Sequence, residues 1–186
     1  MIEITDLRKE FKLNKQQRKE LDTKIDTAIA VDGVSFTCEP GRVFSLLGPN
    51  GAGKTTTIRI LTGNLLPTGG KATICFHDIV SDIKKVQKLI GLCPQEPSLY
   101  KFLSGNENIE FFGNLFLMSK KEIKVRAEKL LKTLGLYEAR KRKTKGYSGG
   151  MLRQLSLIVS LINNPEILFL LLLLLIPLFI HLFQLQ

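Results

Sequence analysis

The feature that most constrains this sequence is a glycine-rich segment that ends in lysine and threonine. It matches the pattern G-x-x-x-x-G-K-[ST] at every fixed position and comprises Gly48, Pro49, Asn50, Gly51, Ala52, Gly53, Lys54 and Thr55. Phosphate oxygens need several converging backbone N–H groups, and glycine allows a sharp turn and a close approach because it has no Cβ. The pattern therefore predicts a loop that cradles the phosphates of a nucleotide.

The pattern also assigns chemistry to individual side chains. The ammonium group of Lys54 would neutralise the β- and γ-phosphates, and the hydroxyl of Thr55 would ligate Mg²⁺. The helix predicted over residues 54–61, with Thr56 in its first turn, would add free N–H groups and the positive end of its dipole. The predicted cofactors are therefore ATP and Mg²⁺.

The segments around this loop show strand and helix patterns in succession. Strands are predicted at the N-terminus, where Ile2, Ile4 and Leu7 alternate with polar residues, and over residues 34–38, 43–47, 72–75, 89–92 and 167–170. Residues 14–27 are highly polar and are predicted to be a solvated loop or a short helix. A succession of this kind predicts an α/β domain.

The middle of the chain is predicted to be helical. Two segments fit the capping box, in which a serine and a glutamate three residues later satisfy the free amides of a helix start, namely Ser104 with Glu107 and Ser119 with Glu122. The second of these helices is expected to end at Gly135. A further helix is predicted to follow Ser148, with one apolar stripe formed by Met151, Leu152, Leu155, Val159 and Ile162.

Charge and cysteine usage narrow the class of protein. A formal net charge of +10 favours an anionic partner such as a nucleotide, a nucleic acid or an acidic membrane face. The basic residues are dispersed, however, so no nucleic-acid partner is expected, and the dense run at residues 140–145 is predicted to be a solvated surface. The three cysteines are odd in number and lack CxxC spacing, which indicates reduced thiols in a cytoplasmic protein. The N-terminus has no secretory signal pattern.

Three further motifs resemble those of the ABC ATPase family. One segment is similar to the family's signature motif and begins about a hundred residues after Gly48. It consists of Gly146, Tyr147, Ser148, Gly149, Gly150 and Met151. Gln95 lies where the Q-loop glutamine of the family would be, and Phe11 where an aromatic residue stacks on adenine. The alternative for Phe11 is an ordinary aromatic residue of the core. The resemblance covers residues 1–170. The sequence around the motifs is most similar to that of ATPase subunits of daunorubicin-resistance-type exporters of drugs, lipids or sodium.

This resemblance implies a P-loop NTPase fold of the ABC ATPase type. Such a fold has a mixed β-sheet core with an N-terminal antiparallel β part and a helical subdomain. The expected division is a core with the phosphate loop at residues 1–94, a mostly helical subdomain at 95–150, and the signature helix with the last strand at 151–170.

The resemblance also implies partners and a location. Two ATP-binding subunits would face each other head to tail, each nucleotide lying between one phosphate loop and the other subunit's Ser148, Gly149, Gly150 and Met151. Gln95 would reach Mg²⁺ or the attacking water, and its loop would contact a transmembrane permease subunit. The expected location is cytoplasmic, on the inner face of the cell membrane.

The resemblance stops after Leu170. Members of the family continue with Asp, which orients Mg²⁺, and Glu, which polarises the attacking water, whereas this chain has Leu171 and Leu172. His181 comes too soon to be the family's switch histidine. The sequence therefore predicts an ATP-binding chain that is incomplete at its C-terminus and deficient in hydrolysis.

Residues 171–186 form an aberrant apolar tail with three interpretations. The abrupt change of composition favours a shifted reading frame after Leu170; a membrane anchor and a buried strand with an exposed apolar tail are the alternatives. The run over residues 167–180 is shorter than the ~20 residues of a spanning helix. Two other functions stay open, namely a soluble ABC-type ATPase in translation or DNA repair and a hydrolysis-deficient nucleotide-binding fragment.

Overall fold

The computed structural model describes residues 1–20 and 24–171, which divide into two compact units. The first unit is Met1–Gln87 and the second begins at Lys88. The elements up to residue 78 are β1 at Ile2–Lys12, α1 at Lys15–Glu20, β2 at Thr27–Cys38, α2 at Lys54–Leu61, β3 at Gly69–Ile74 and β4 at His77–Asp78. They are followed by α3 at Ile83–Leu89, β5 at Ile90–Cys93, α4 at Gly105–Leu115, α5 at Lys120–Thr133, a 3-10 turn at Thr144–Gly146, α6 at Gly149–Leu161 and β6 at Ile167–Leu170.

An antiparallel sheet with strand order β2-β1-β3-β4 forms the first unit's framework. The predicted alternation in β1 is confirmed, since Ile2, Ile4 and Leu7 are all buried. Leu7 is three residues beyond Ile4 and still faces inward because the strand register shifts between them, where Asp6 has φ 50°. This sheet is the N-terminal antiparallel part that the family resemblance implied.

In its described residues, the second unit combines a parallel strand pair with the helices α4, α5 and α6. β5 and β6 pair in register from Ile90 opposite Ile167 to Cys93 opposite Leu170. Its core is a cluster of buried residues from these elements that includes Ile109, Ile123, Leu131, Leu155 and Ile158. Both predicted capping boxes are present, at the starts of α4 and α5. The mixed α/β class predicted from the sequence is confirmed.

The predicted strand over residues 43–47 is wrong. Residues 42–49 have no regular secondary structure, and Val43, Phe44 and Leu47 are exposed. An extended segment becomes a strand only when a neighbour accepts and donates its ladder hydrogen bonds, and no strand of the described part of the chain pairs with this one. Phe44 stacks on Phe36 of β2, with ring centroids 4.8 Å apart.

Other differences are small. Residues 15–20 form the short exposed helix that was one of two predicted alternatives, and β2 begins seven residues before the predicted strand at 34–38. Helix α2 and strand β6 have the predicted bounds. Cys38, Cys75 and Cys93 form no disulfide bond within the described part of the chain. Within residues 1–20 and 24–171, no helix is long and apolar enough to cross a membrane. The interpretations of the tail concern residues 172–186, which lie outside the described residues.

Candidate phosphate-binding site

Two glycines with positive φ shape the predicted phosphate loop. Gly51 has φ 85° and Gly53 has φ 79°. A Cβ on Gly53 would lie 2.2 Å from the carbonyl oxygen of Ala30 in β2, so the loop lies against that strand through bare backbone. Any side chain at this position would be strained and would clash with the strand. The loop thus has the sharp turns that a phosphate cradle requires.

Helix α2 begins directly after this loop, and no side chain caps it. By contrast, Ser104, Ser119 and Ser148 cap α4, α5 and α6 by accepting a hydrogen bond from a backbone N–H. The first N–H groups of a helix have no partner within the helix, so the uncapped start of α2 leaves those of Lys54, Thr55 and Thr56 available to an anion. These residues fit the phosphate chain of a nucleotide.

The side chain of Lys54 folds back over the loop. Its Nζ donates to the carbonyl oxygens of Gly48 and Pro49, each at 2.7 Å. No carboxylate among the residues described by the structure forms an ion pair with it. Phosphate oxygens would offer this cation stronger, charge-assisted hydrogen bonds than the two neutral carbonyls do.

The threonines that follow have different environments. Thr55 is exposed and Thr56 is half-buried, whereas Thr57, which the sequence did not single out, is buried and donates from Oγ1 to the Gly53 carbonyl at 3.0 Å. In the described ranges there is no group of three or more His, Cys, Asp and Glu residues that could hold a metal. Mg²⁺ is commonly held by few protein ligands together with phosphates and water, so the exposed Thr55 hydroxyl fits that role.

The predicted signature segment forms the start of α6. Ser148 is the N-cap, and its Oγ accepts a hydrogen bond from the N–H of Met151 at 3.3 Å. A Cβ on Gly149 would meet nothing within 4 Å, and one on Gly150 would meet the Ser148 Oγ at 4.0 Å. The fold of this unit therefore does not require glycine at either position, which leaves open backbone for a ligand to approach.

The turn before α6 is held by contacts that the sequence did not reveal. The hydroxyl of Tyr147 donates to the carbonyl of Ala139 at 2.8 Å. The Tyr147 side chain is buried, and this burial raises the pKa of its phenol. Arg142 lies over the Tyr147 ring at 5.3 Å and donates from Nη2 to the Met151 sulfur at 3.3 Å. These contacts fix the backbone that presents Ser148.

Gln95 lies in the second unit, two residues after the end of β5. Its side chain is exposed and has no hydrogen-bond partner among the described residues. Because β5 and β6 are parallel, the residues that follow them lie at one edge of the pair, and the N–H of Leu171 donates to the carbonyl of Cys93 at 3.0 Å. The position where the resemblance expects an aspartate is thus beside the start of the Gln95 loop, and leucine occupies it.

Comparison with known proteins decides the family. The family described as ABC transporter matches residues 31–170, which is most of the chain. The chain belongs to the ABC transporter family. Members of this family bind ATP, typically with Mg²⁺, and their ATP-binding domains are ATPases.

Two curated relatives are about 40% identical to this chain over the aligned residues. The daunorubicin resistance ATP-binding protein DrrA3 of Streptomyces coeruleorubidus is 40% identical over 141 residues, covering 76% of this chain and 45% of that protein. The linearmycin resistance ATP-binding protein LnrL of Bacillus subtilis is 39% identical over 138 residues, covering 74% of this chain and 44% of that protein. The chain therefore spans less than half the length of these ABC relatives.

A solved structure supports the same fold. The ATP-binding cassette MJ0796, solved as a dimer in a post-hydrolysis state with ADP and Pi, superposes with a TM-score of 0.74 at 25% identity. The superposition covers 91% of this chain and 73% of that one. The implied ABC ATPase fold is thereby confirmed.

Phe11, the residue expected to stack on adenine, is on the exposed part of β1. Its ring is 41% exposed, with the Lys9 ammonium 5.2 Å from its centroid. It is therefore not the core aromatic that a plain strand pattern would suggest. An exposed ring beside a cation can stack on a base, so its assignment to adenine stays a prediction.

Proposed function

We propose that this chain is the ATP-binding part of an ABC exporter that binds Mg·ATP through residues 48–56. The observation that carries the proposal is the uncapped start of α2 behind a loop with positive φ at Gly51 and Gly53. In this arrangement Lys54 exchanges the carbonyls of Gly48 and Pro49 for phosphate oxygens, while the first amides of α2 donate to the same phosphates.

The names of the relatives refer to antibiotic resistance. DrrA3 and LnrL are named for resistance to daunorubicin and linearmycin. We infer a drug-like or lipid-like cargo, a permease partner that carries it, and a location on the inner face of the membrane where the permease lies. Phe11 would stack on the adenine.

A second copy of the chain would complete each nucleotide site. The open start of α6 supports this inference, because Ser148, Gly149 and Gly150 are exposed and no described residue lies against the two glycines where a side chain would be. The Ser148 hydroxyl accepts one hydrogen bond from Met151 and keeps its proton to donate to a phosphate oxygen. The dimeric state of MJ0796 is consistent with such an arrangement.

We also infer that the chain binds ATP without hydrolysing it at a useful rate. Magnesium bound with ATP would neutralise the phosphates and orient water. By the family resemblance Gln95 would position that water, but Leu171 cannot hold the metal's water shell and Leu172 cannot accept a proton.

The test compares binding with turnover in the same preparation. Full-length protein in a mild detergent is expected to bind Mg·ATP, with phosphate release no faster than that of a Lys54→Ala variant. Phosphate release that is rapid and depends on Lys54 would contradict the inferred deficiency. Absence of any Mg·ATP binding would contradict the proposed function itself.

A further inference from the structure

The connection between α4 and α5 carries consecutive exposed hydrophobic side chains. Leu115 is 63% exposed, Phe116 39% and Leu117 87%. Single exposed hydrophobic residues are ordinary, but adjacent ones at the tip of a helical hairpin form a patch that marks an interaction surface. We call residues 115–121 together with Lys124 the hairpin tip.

The backbone fixes Leu117 in its outward position. Its N–H donates to the carbonyl of Asn114 at 2.9 Å, and the N–H of Met118 donates to the carbonyl of Gly113 at 3.2 Å, the two bonds of a Schellman helix end. The residue after the C-cap in this motif is usually glycine, because its φ is positive; here Leu117 has φ 58°. The fold itself gives no reason for a leucine at this position.

Three lysines follow the apolar residues. Lys120, Lys121 and Lys124 are exposed in the first turns of α5, and none forms an ion pair with a described residue. Cations are unfavourable near a helix N-terminus because the helix dipole is positive there. The nearby carboxylate of Glu122 accepts hydrogen bonds from Ser119 in the capping box. Lys120 and Lys121 therefore face solvent without an ion-pair partner among the described residues, and the charge of Lys124 is offset only in part by Glu128, whose pKa Lys124 helps to lower.

We propose that the hairpin tip binds the surface of an anionic lipid bilayer. Leu117 and its apolar neighbours would enter the boundary between headgroups and acyl chains, and Lys120, Lys121 and Lys124 would contact lipid phosphates. An exposed apolar tip that is followed directly by three exposed lysines matches the interfacial region of such a bilayer in both polarity and charge. This contact is independent of nucleotide binding and would orient the second unit on the membrane.

The experiment measures vesicle binding of the full-length protein by flotation. Neutral vesicles of phosphatidylcholine are compared with vesicles containing about one part phosphatidylglycerol to three parts phosphatidylcholine. Because residues 171–186 are nearly all apolar and would favour either vesicle, the readout is the ratio of the two affinities. Circular dichroism checks that each variant is folded.

Neutralising the tip is expected to remove the preference for anionic vesicles. Each lysine near an anionic surface contributes about five-fold in affinity, so glutamine at Lys120, Lys121 and Lys124 together should lower the ratio by about a hundred-fold. The matched control replaces Lys12, Lys15 and Lys19, three exposed lysines of the first unit, with glutamine and should leave the ratio unchanged.

The apolar contribution has its own variant. Leu117→Gly suits the positive φ and is expected to weaken binding to both vesicle types about five-fold by removing the inserted side chain. An equal loss of anionic preference in the tip and control variants would reduce the effect to net charge and overturn the proposal. It would also be overturned if the tip variant kept the full preference for anionic vesicles, because the three lysines would then not contact the lipid surface.

Discussion

Among the polar residues of the second unit, Asn108 of α4 is expected to be the one whose removal lowers the free energy of unfolding most. Its side chain is fully buried, and its Oδ1 accepts a hydrogen bond from the N–H of Tyr100 at 2.8 Å. Its Nδ2 donates to the carbonyls of Tyr100, Leu103 and Ser104 at 3.1, 3.4 and 3.0 Å. The carboxamide thus holds the segment that follows the Gln95 loop.

The size of the stability loss in Asn108→Ala depends on which backbone groups lose their last hydrogen-bond partner. The carbonyls of Tyr100 and Leu103 each keep a hydrogen bond from Thr144, and the carbonyl of Ser104 keeps the backbone N–H of residue 108. Only the N–H of Tyr100 is left unpaired, which costs about 1–3 kcal/mol. With the weakened carbonyl contacts added, we expect the free energy of unfolding to fall by about 3 kcal/mol.

Urea unfolding followed by far-ultraviolet circular dichroism in a mild detergent measures this loss. The matched control is Asn106→Ala, which removes an exposed asparagine of the same helix and should change stability by less than about 0.5 kcal/mol. A loss below about 1 kcal/mol for Asn108→Ala, or an equal loss in both variants, would refute the reasoning.

Two further predictions concern the β3–β4 turn and a helix cap. Cys75 and Phe76 have φ 48° and 65°, and the Phe76 ring is 81% exposed, so Phe76→Gly should raise the free energy of unfolding by about 1 kcal/mol while Phe76→Ala should not. Thermal unfolding measures the stability of both variants. Equal changes in stability for Phe76→Gly and Phe76→Ala would show that the loss of the ring, rather than the backbone conformation, matters. The Ser119 hydroxyl and N–H lower the pKa of Glu122 below its usual 4.5, so the capping box stabilises the protein above that pH and loses its contribution as pH falls. The stability gap between wild type and Glu122→Gln should therefore shrink in acid, and a gap constant with pH would contradict this account.

Signals that are local in sequence predicted their structures well. The bounds of α2 and β6 and both capping boxes were correct because each depends on residues within one element or one turn. The phosphate loop likewise carries its own glycines. The family motifs then supplied roles for Ser148 and Gln95 that the local patterns alone could not.

The sequence did not predict the features that depend on contacts with residues distant in the chain. Residues 43–47 have a strand-like sequence, but a strand exists only with a neighbour, and its own pattern does not reveal whether one is present. Asn108 looks like an ordinary polar residue of a solvated helix turn. Thr144, which donates to the carbonyl of Tyr100, lies 44 residues from it in sequence, and no periodicity links the two.

The central claim is that the loop before α2 grips the phosphates of ATP through Lys54. Titration of the full-length protein with a fluorescent Mg·ATP analogue tests it directly, using Lys54→Ala and, as a charge-matched control on the same helix, Arg59→Ala. Charge-assisted hydrogen bonds contribute about 1.5–3 kcal/mol, so affinity should fall at least about ten-fold in Lys54→Ala and stay unchanged in Arg59→Ala. Equal affinity of the wild type and Lys54→Ala would contradict the claim.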